Sequence, residues 1–197
     1  RETIEWIARD LRDPFGGFYS SVDADSNEEE GGFYTWRREE VKAVLDEDQY
    51  LLIETLYGMD KPPNFDNRWI LHRNDSWRSV VNRLQLEPEV ARNKLLETKG
   101  LLFNNRQQRS LPNTDQKILT AWNAIAIKGI IESADALNNK EEWISLAIQA
   151  TDFVHHHLWD GETLFATWTD GQAKYHGYLD DYAHLLDALL VLLKMHF

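Results

Sequence analysis

Carboxylates and aromatic residues share one short stretch near the start of the chain. Gly16–Glu40 contains the phrase Gly-Gly-Phe-Tyr twice, and Asp23 and Asp25 lie between the two copies. Two carboxylates can act as general acid and base, or they can accept hydrogen bonds from sugar hydroxyls. The same aspartates can instead cap turns by bonding to nearby backbone amides. Tyr34 and Trp36 follow closely, and because ligand pockets combine aromatic and polar groups, we predict a catalytic and substrate-binding site here.

A second polar set stands at the start of a strongly apolar segment. Asp115 and Lys117 precede this segment, and Trp122 and Asn123 lie within its first turns. Polar groups inside an apolar helix need hydrogen-bond partners, so this set is either ligand-facing or structural. Asp115 can also be a helix cap that the helix dipole stabilises. We predict that all four residues contribute to substrate binding.

A third polar set surrounds the start of the last apolar run. Asp180 and Asp181 open this run, where negative charge is also favoured by the helix dipole. Together with one of the earlier aspartates, either residue would supply the two carboxylates of glycoside hydrolysis. His176 and His184 flank the pair, and an epimerase would use such bases to move a proton next to a carbonyl. We predict Asp180, Asp181 and His176 to be catalytic.

Two stretches have only part of a metal-binding pattern. His155, His156 and His157 are consecutive, and adjacent helical residues point in different directions, so they cannot converge on one ion. The acidic stretch fits the first half of an EF-hand loop. Its sixth position is Glu28 instead of Gly, and its twelfth is Tyr34 instead of Glu. We predict no metal and no cofactor, and a looser divalent-ion site at the acidic stretch is the alternative.

Composition excludes several classes of partner and site. The 197 residues carry a net charge of −12 and include no cysteine. Nucleic acid and anionic membrane surfaces need clustered Lys and Arg, so neither is an expected partner. Without cysteine the chain has no disulfide, no thiolate metal site and no catalytic thiol. No uncharged apolar run is long enough to span a membrane and no signal peptide is visible, so we predict a cytoplasmic location.

Helical patterns dominate the segments that must position these residues. The predicted helices cover 4–11, 37–45, 47–57, 76–84, 87–105, 115–137 and 141–158, and a last one starts at Leu179. Gly16–Trp36 is predicted to form one long hairpin with an acidic tip. A second hairpin is predicted around Asp170-Gly171, a two-residue signal for a type I′ turn.

Strongly apolar helices alternate with one-sided amphipathic ones in this pattern. Two-layer helix packing fits the alternation, and its closed form is an α/α toroid with buried inner helices and half-exposed outer ones. A plain helical bundle would produce a similar alternation. We therefore predict a mainly α fold, in which the helices form either an α/α toroid or a plain helical bundle.

The two ends of the chain carry a prediction of their own. The sequence begins at Arg1 in a helical pattern and ends at Phe197, directly after the apolar run Leu185–Leu193. A helix that is apolar all round must be buried by something. We therefore expect the chain to be a fragment of a longer protein that covers this helix. We also expect self-association through this apolar helix.

Four segments in a fixed order resemble the C-terminal region of a family of thioredoxin-domain-containing proteins. This family includes spermatogenesis-associated protein 20 and its bacterial relatives. The segments are GGFYSSVDADSNEEEGGFYTW (Gly16–Trp36), NFDNRWILH (Asn64–His72), DQKILTAWNAIAI (Asp115–Ile127) and GYLDDYAHLLDALL (Gly177–Leu190). The resemblance runs over nearly the whole chain.

The resemblance implies a six-hairpin (α/α)6 toroid, the fold of several glycoside hydrolases and of N-acylglucosamine 2-epimerase. It implies that residues 1–197 are part of one toroid domain, with a thioredoxin-like domain before Arg1 and further helices after Phe197. The implied function is binding or hydrolysis of a sugar, by analogy of fold. The alternatives are a sugar epimerase and a non-catalytic module that supports the thioredoxin-like domain. One departure from the family pattern is Gln116, where a second acid usually follows Asp115.

Overall fold

The computed structural model describes residues 1–196, which are mainly helical, as the sequence predicts. The helices in this range are α1 Glu2–Asp10, α2 Arg38–Val44, α3 Glu47–Tyr57, α4 Trp77–Arg83, α5 Pro88–Arg106, α6 Thr120–Ala134, α7 Lys140–His157 and α8 Leu179–His196. The strands are β1 Ser21–Val22, β2 Asp25–Ser26, β3 Glu29–Glu30, β4 Thr114–Asp115, β5 Ile118–Leu119, β6 Phe165–Thr169 and β7 Gln172–His176. These elements form two compact units: a first unit of residues 1–23 and 114 onward, and a second unit of residues 24–113.

Local capping signals define the helices of the second unit. The Asp46 carboxylate accepts a hydrogen bond from the Gln49 backbone N–H at the start of α3. That helix ends at Gly58 in the left-handed conformation, with φ 69°. Pro88 occupies the first turn of α5, where its missing N–H costs nothing. The apolar faces of α2, α3 and α5 meet in a core that includes Val41, Leu45, Ile53, Met59 and Leu102.

Helix α6 forms the centre of the first unit and packs against both α7 and α8. The Asp181 carboxylate links the starts of α6 and α8, since it accepts from the backbone N–H groups of Ala121 at 2.9 Å and Tyr178 at 2.8 Å. Further along both helices, Lys128 Nζ lies 2.7 Å from the Asp187 carboxylate. Because both links join corresponding positions, α6 and α8 run parallel, and α7, which connects them in sequence, packs against α6.

A small antiparallel sheet precedes α6 and α8 in the first unit. Its order is β5-β6-β7, with Ile118 opposite Trp168 and Phe165 opposite His176. The hairpin between β6 and β7 turns at Asp170 and Gly171, whose φ angles are 53° and 72°. Two left-handed residues are what a type I′ turn requires, so the predicted second hairpin is confirmed.

The predicted long hairpin over Gly16–Trp36 is wrong. Strand β1 pairs with β4, so that Ser21 is opposite Asp115. Strand β2 pairs with β3 across Asn27 and Glu28, which have φ angles of 54° and 61°. This left-handed turn closes a hairpin within six residues, and the two Gly-Gly-Phe-Tyr copies do not pair with each other.

The predicted start of α6 at Thr114 or Asp115 is also wrong, because the helix begins at Thr120. The preceding residues form β4 and β5 instead of a first turn. Leu119 occupies the N-cap position and provides no side-chain hydrogen bond. Asp181 supplies the missing acceptor from sixty residues away in sequence.

None of the helices within residues 1–196 is both long enough and apolar enough to cross a bilayer.

Candidate functional site

The first turn of α6 presents an exposed indole on a largely buried helix. Trp122 is 56% exposed, whereas Ala124 and Ile127 on the packed side are fully buried. An exposed flat ring on a rigid helix can stack against the apolar face of a ligand. The ligand-facing role of Trp122 stays a prediction.

The junction between β7 and α8 adds further exposed groups to the same unit. Tyr175, Tyr178, His176 and Asp180 all lie at the surface here. Tyr175 has φ 63°, a left-handed conformation that costs an aromatic residue about 1–3 kcal/mol. Backbone strain of this kind is concentrated at functional positions, so the junction is the strongest structural candidate for a site.

Hydrogen bonds join this junction to the start of α6. The Thr120 hydroxyl donates to the Phe165 carbonyl at 2.6 Å, and Phe165 is paired with His176, whose ring centroid lies 5.8 Å away. The Gly177 backbone N–H donates to the Leu164 carbonyl at 2.6 Å. With the Asp181 link, these bonds hold the starts of α6, β6 and α8 and the end of β7 together.

We call the exposed groups at this end of the first unit the aromatic rim. It comprises Trp122, Tyr175, His176, Tyr178 and Asp180. The two tyrosines were not singled out by sequence reasoning. The signal that could have found them is the run Tyr-His-Gly-Tyr between a predicted strand and a predicted helix.

Asp181 differs from its neighbour Asp180 in burial and in hydrogen bonding. It is only 4% exposed, and both of its carboxylate oxygens accept backbone hydrogen bonds. Asp180 is exposed and makes no ion pair within the described part of the chain. Of the two predicted catalytic carboxylates that open α8, Asp181 holds two helices together and Asp180 is accessible.

Asn123 is buried and has its hydrogen-bonding groups satisfied by the backbone. Its carboxamide oxygen accepts from the Phe18 N–H at 2.7 Å. Its amide nitrogen donates to the carbonyls of Phe18 at 2.9 Å and Leu119 at 3.0 Å. The side chain therefore ties the segment after α1 to α6 and faces the interior of the unit.

Asp115 and Lys117 form an ion pair of 2.8 Å before the start of α6. The hydrogen bond from the Lys117 ammonium lowers the pKa of Asp115, and the same bond raises the pKa of Lys117. Both groups are partly exposed, so Asp115 is an ionised acceptor at the surface. Asp23 is exposed and lies one residue beyond β1, the strand that pairs with the one containing Asp115.

The second unit contains the remaining predicted site residues, and Trp36 is buried there. Its ring is only 3% exposed, and the Arg109 guanidinium covers it at 4.1 Å from the ring centroid. This ring is therefore not open for stacking on a ligand within the unit. Tyr34 is half-buried and packs edge-on against Phe33 at 4.9 Å, while Asp25 is exposed in β2, opposite Glu30.

Arg109 is a structural residue that sequence reasoning did not select. Its guanidinium donates to the carbonyls of Gly32 and Phe33 at 3.2 Å each and of Thr35 at 2.6 Å. It also forms a 3.3 Å ion pair with Glu40. The second Gly-Gly-Phe-Tyr segment is thus fixed around one cation.

Two of the three consecutive histidines lie side by side, since the ring centroids of His155 and His156 are 5.1 Å apart. His157 packs against Phe153 and Trp168, with ring centroids 4.7 Å away in each case. His156 Nδ1 lies 2.7 Å from the Asp152 carbonyl oxygen. Across residues 1–196, no group of three or more His, Asp or Glu side chains is arranged to hold a metal ion.

Comparison with known proteins identifies relatives that contain a similar region. No protein-family model matches the chain. It is 28% identical to human spermatogenesis-associated protein 20 over 95% of its length, and 29% identical to the mouse protein over the same share. It is 27% identical to an uncharacterized protein of Caenorhabditis elegans over 89% of its length. The chain spans 28% of the length of each of these relatives, and their similarity supports a relationship to the spermatogenesis-associated protein 20 family.

Proposed function

We propose that the first unit binds a sugar or a similar polyhydroxylated ligand at the aromatic rim. The observation that carries this proposal is the combination of exposed Trp122, Tyr175 and Tyr178 with His176 and Asp180 at one hydrogen-bonded end of the unit. Aromatic faces suit the C–H faces of a sugar ring. Carboxylate and imidazole groups suit its hydroxyls.

The rim is supported from beneath by buried groups, which is what a binding site requires. Asp181, Asn123 and Thr120 make the hydrogen bonds that fix the first turns of α6 and α8. A side chain held on such a frame loses little conformational freedom when a ligand binds. The strained backbone of Tyr175 fits the same purpose, because the strain is offset by packing elsewhere.

The proposal extends to the architecture of the first unit as a section of an α/α toroid. Parallel α6 and α8 correspond to adjacent inner helices, and α7 corresponds to the outer helix that connects them. In such an arrangement the N-terminal ends of the inner helices face one mouth, which would contain the rim.

Binding without turnover is the activity that the rim supports best. Hydrolysis by the usual route needs two carboxylates that act on one bond, and Asp181 is already engaged by two backbone N–H groups. Within the first unit, Asp180 would therefore need Asp23 as its partner. An epimerase would instead use His176 and His184, both of which are exposed.

A thermal-shift and calorimetric screen with neutral monosaccharides and N-acetylated sugars tests the binding proposal. A ligand that binds only the folded protein raises its stability, by about 2.7 kcal/mol at one hundred times its Kd. We expect at least one sugar to bind saturably, and we expect Trp122→Ala to abolish that binding. Phe15→Ala is the control, because Phe15 is an exposed aromatic residue of the same unit outside the rim. Equal loss in both variants, or no sugar binding at all, would refute the proposal.

Two further assays separate binding from chemistry once a sugar is found. The first assay measures release of nitrophenol from the corresponding nitrophenyl glycoside. Release that is lost in Asp180→Asn would indicate that the function is hydrolysis and not binding alone. The second assay measures deuterium incorporation from solvent into a sugar carbon. Incorporation that is lost in His176→Ala would indicate that the function is epimerisation. We expect neither signal above the level of buffer.

A further inference from the structure

One face of α8 exposes an apolar stripe along the whole helix. Leu179, Tyr182, Leu186, Leu189 and Leu193 recur at alternating spacings of three and four residues, and all are exposed. Leu190 widens the stripe on one side. A 3-4 spacing of apolar residues is the pattern by which one helix packs against another. The opposite face of α8, which includes Asp181 and Ala188, is buried within the first unit.

We propose that the stripe pairs with the same stripe of a second copy of this chain, with the two α8 helices antiparallel. Such a contact is isologous, because each copy offers the surface that it receives. Its two-fold axis would lie close to Leu186, the exposed residue near the middle of the stripe. The proposed contact shares Asp180 with the aromatic rim, and its tests use no sugar ligand.

A groove beside the stripe gives the second helix a place to lie. It is lined by Ile148, Thr151 and Asp152 of α7 and by the leucines of the C-terminal half of α8, with a volume of about 410 Å³. A helix that enters this groove contacts both α7 and α8. It would therefore bury more apolar surface than a contact with α8 alone.

The charges beside the stripe favour the antiparallel orientation. Asp180 lies near the start of α8 and Lys194 near its end, and neither makes an ion pair within residues 1–196. An antiparallel pair brings Lys194 of one copy towards Asp180 of the other, twice per dimer. A parallel pair would place like charges together. Asp187, near the centre, is already neutralised by Lys128 at 2.7 Å.

Sedimentation equilibrium of the full 197-residue chain over a range of concentrations tests the association. We expect a reversible monomer–dimer equilibrium. Leu186→Glu should raise its Kd by about 100-fold or more, since it buries two facing charges at the axis. Leu96→Glu is the matched control: Leu96 is 62% exposed and Leu186 is 60% exposed, but Leu96 lies in α5 of the second unit. A chain that stays monomeric at all concentrations, or a dimer that Leu186→Glu does not weaken, would overturn the proposal.

The absence of cysteine allows the orientation to be tested directly. In an antiparallel pair the two copies of residue 186 lie near each other, whereas the two copies of residue 193 are about 21 Å apart along the axis, since each lies seven residues from the two-fold. A short bismaleimide should therefore crosslink the Leu186→Cys dimer efficiently and the Leu193→Cys dimer poorly. Equal crosslinking of both variants would indicate a parallel pair and would overturn the proposed geometry.

The proposed pairing of Lys194 with Asp180 of the second copy leads to a separate prediction. Lys194→Glu should raise the Kd of the dimer by about tenfold, because two attractive contacts become repulsive. Lys194→Arg should leave the Kd within about twofold. A Kd that is equally insensitive to both substitutions would contradict the assigned pairing of Lys194 with Asp180.

Discussion

Removal of the Asp181 carboxylate should strongly destabilise the first unit, although in sequence Asp181 is only one of two adjacent aspartates at the start of α8. The side chain accepts hydrogen bonds from Ala121 in α6 and Tyr178 at the start of α8. In Asp181→Ala both backbone N–H groups lose their partner in a buried position. The two helices also lose the contact that aligns their first turns.

The magnitude follows from the number and kind of bonds lost. A hydrogen bond to a charged group contributes about 1.5–3 kcal/mol to stability, and a lost helix cap costs about 0.5–2 kcal/mol. Asp181 is almost fully buried, so solvent does not screen these bonds. We expect Asp181→Ala to lower the free energy of unfolding by about 3–5 kcal/mol. Asp181→Asn keeps one acceptor oxygen and should lose about half as much.

Urea unfolding followed by circular dichroism measures this change, with Asp180→Ala as the matched control. Asp180 has the same charge and lies in the same first turn of α8, but it is exposed. The control should therefore stay within about 0.5 kcal/mol of the native chain. If Asp181→Ala and Asp180→Ala lowered stability equally, the two backbone bonds would not be the source of the effect.

Four other substitutions test separate parts of the fold and site. Arg109→Lys should destabilise the second unit by about 2 kcal/mol, because one ammonium group cannot replace the several donors of a guanidinium group. Amide hydrogen exchange at residues 33–36 should become faster in this variant. Unchanged exchange would contradict the role assigned to Arg109. Gly16→Ala should destabilise, since φ is 114° and an added Cβ would lie 2.7 Å from the Gln149 carbonyl oxygen. Gly129→Ala should stabilise the first unit by about 0.5–1 kcal/mol, because Gly129 lies within α6 and an added Cβ would enter open space. Thermal melts in which Gly16→Ala and Gly129→Ala shift the melting temperature in the same direction would refute the reasoning. The lowered pKa of Asp115 stabilises the fold at neutral pH, and that contribution disappears as pH falls through the folded-state pKa. A carboxyl carbon NMR titration should return this pKa towards its usual range in Lys117→Met, and an unmoved pKa would exclude the pair as its cause.

The elements with local signals were predictable from the sequence. Ser76 caps α4, Pro88 opens α5 and Gly58 ends α3, which are the positions that these residue types favour. The Asp170-Gly171 turn belongs to the same class. In all of these cases the residues that determine the structure are within a few positions of the structure they determine.

The elements that depend on distant residues were not predictable. The start of α6 is shifted because its acceptor, Asp181, lies on another helix. Strand β1 pairs with β4, more than ninety residues later, so the repeated Gly-Gly-Phe-Tyr phrase gave a false expectation of one hairpin. Pattern alone cannot supply such pairings, because they are set by the packing of the whole unit.

The same limit explains the candidate site. Trp36 and Trp122 look equivalent in sequence, yet Arg109 covers the first and the second is open. Asp180 and Asp181 are adjacent, yet only one is accessible. Tyr175 is a candidate site residue because its backbone is left-handed, and residue propensities do not predict this conformation for tyrosine. Burial and backbone conformation thus distinguish residues of the same type, and sequence pattern alone shows neither property.

The most direct test of the ligand-binding rim is a titration observed through the indole N–H signals of the eight tryptophans. The Trp122 signal is assigned by its absence in Trp122→Phe, and the chain is then titrated with a sugar from the screen. We predict a saturable shift of the Trp122 signal, with the signal of buried Trp36 unchanged. A sugar that binds without moving the Trp122 signal would contradict the assignment of the site to the aromatic rim.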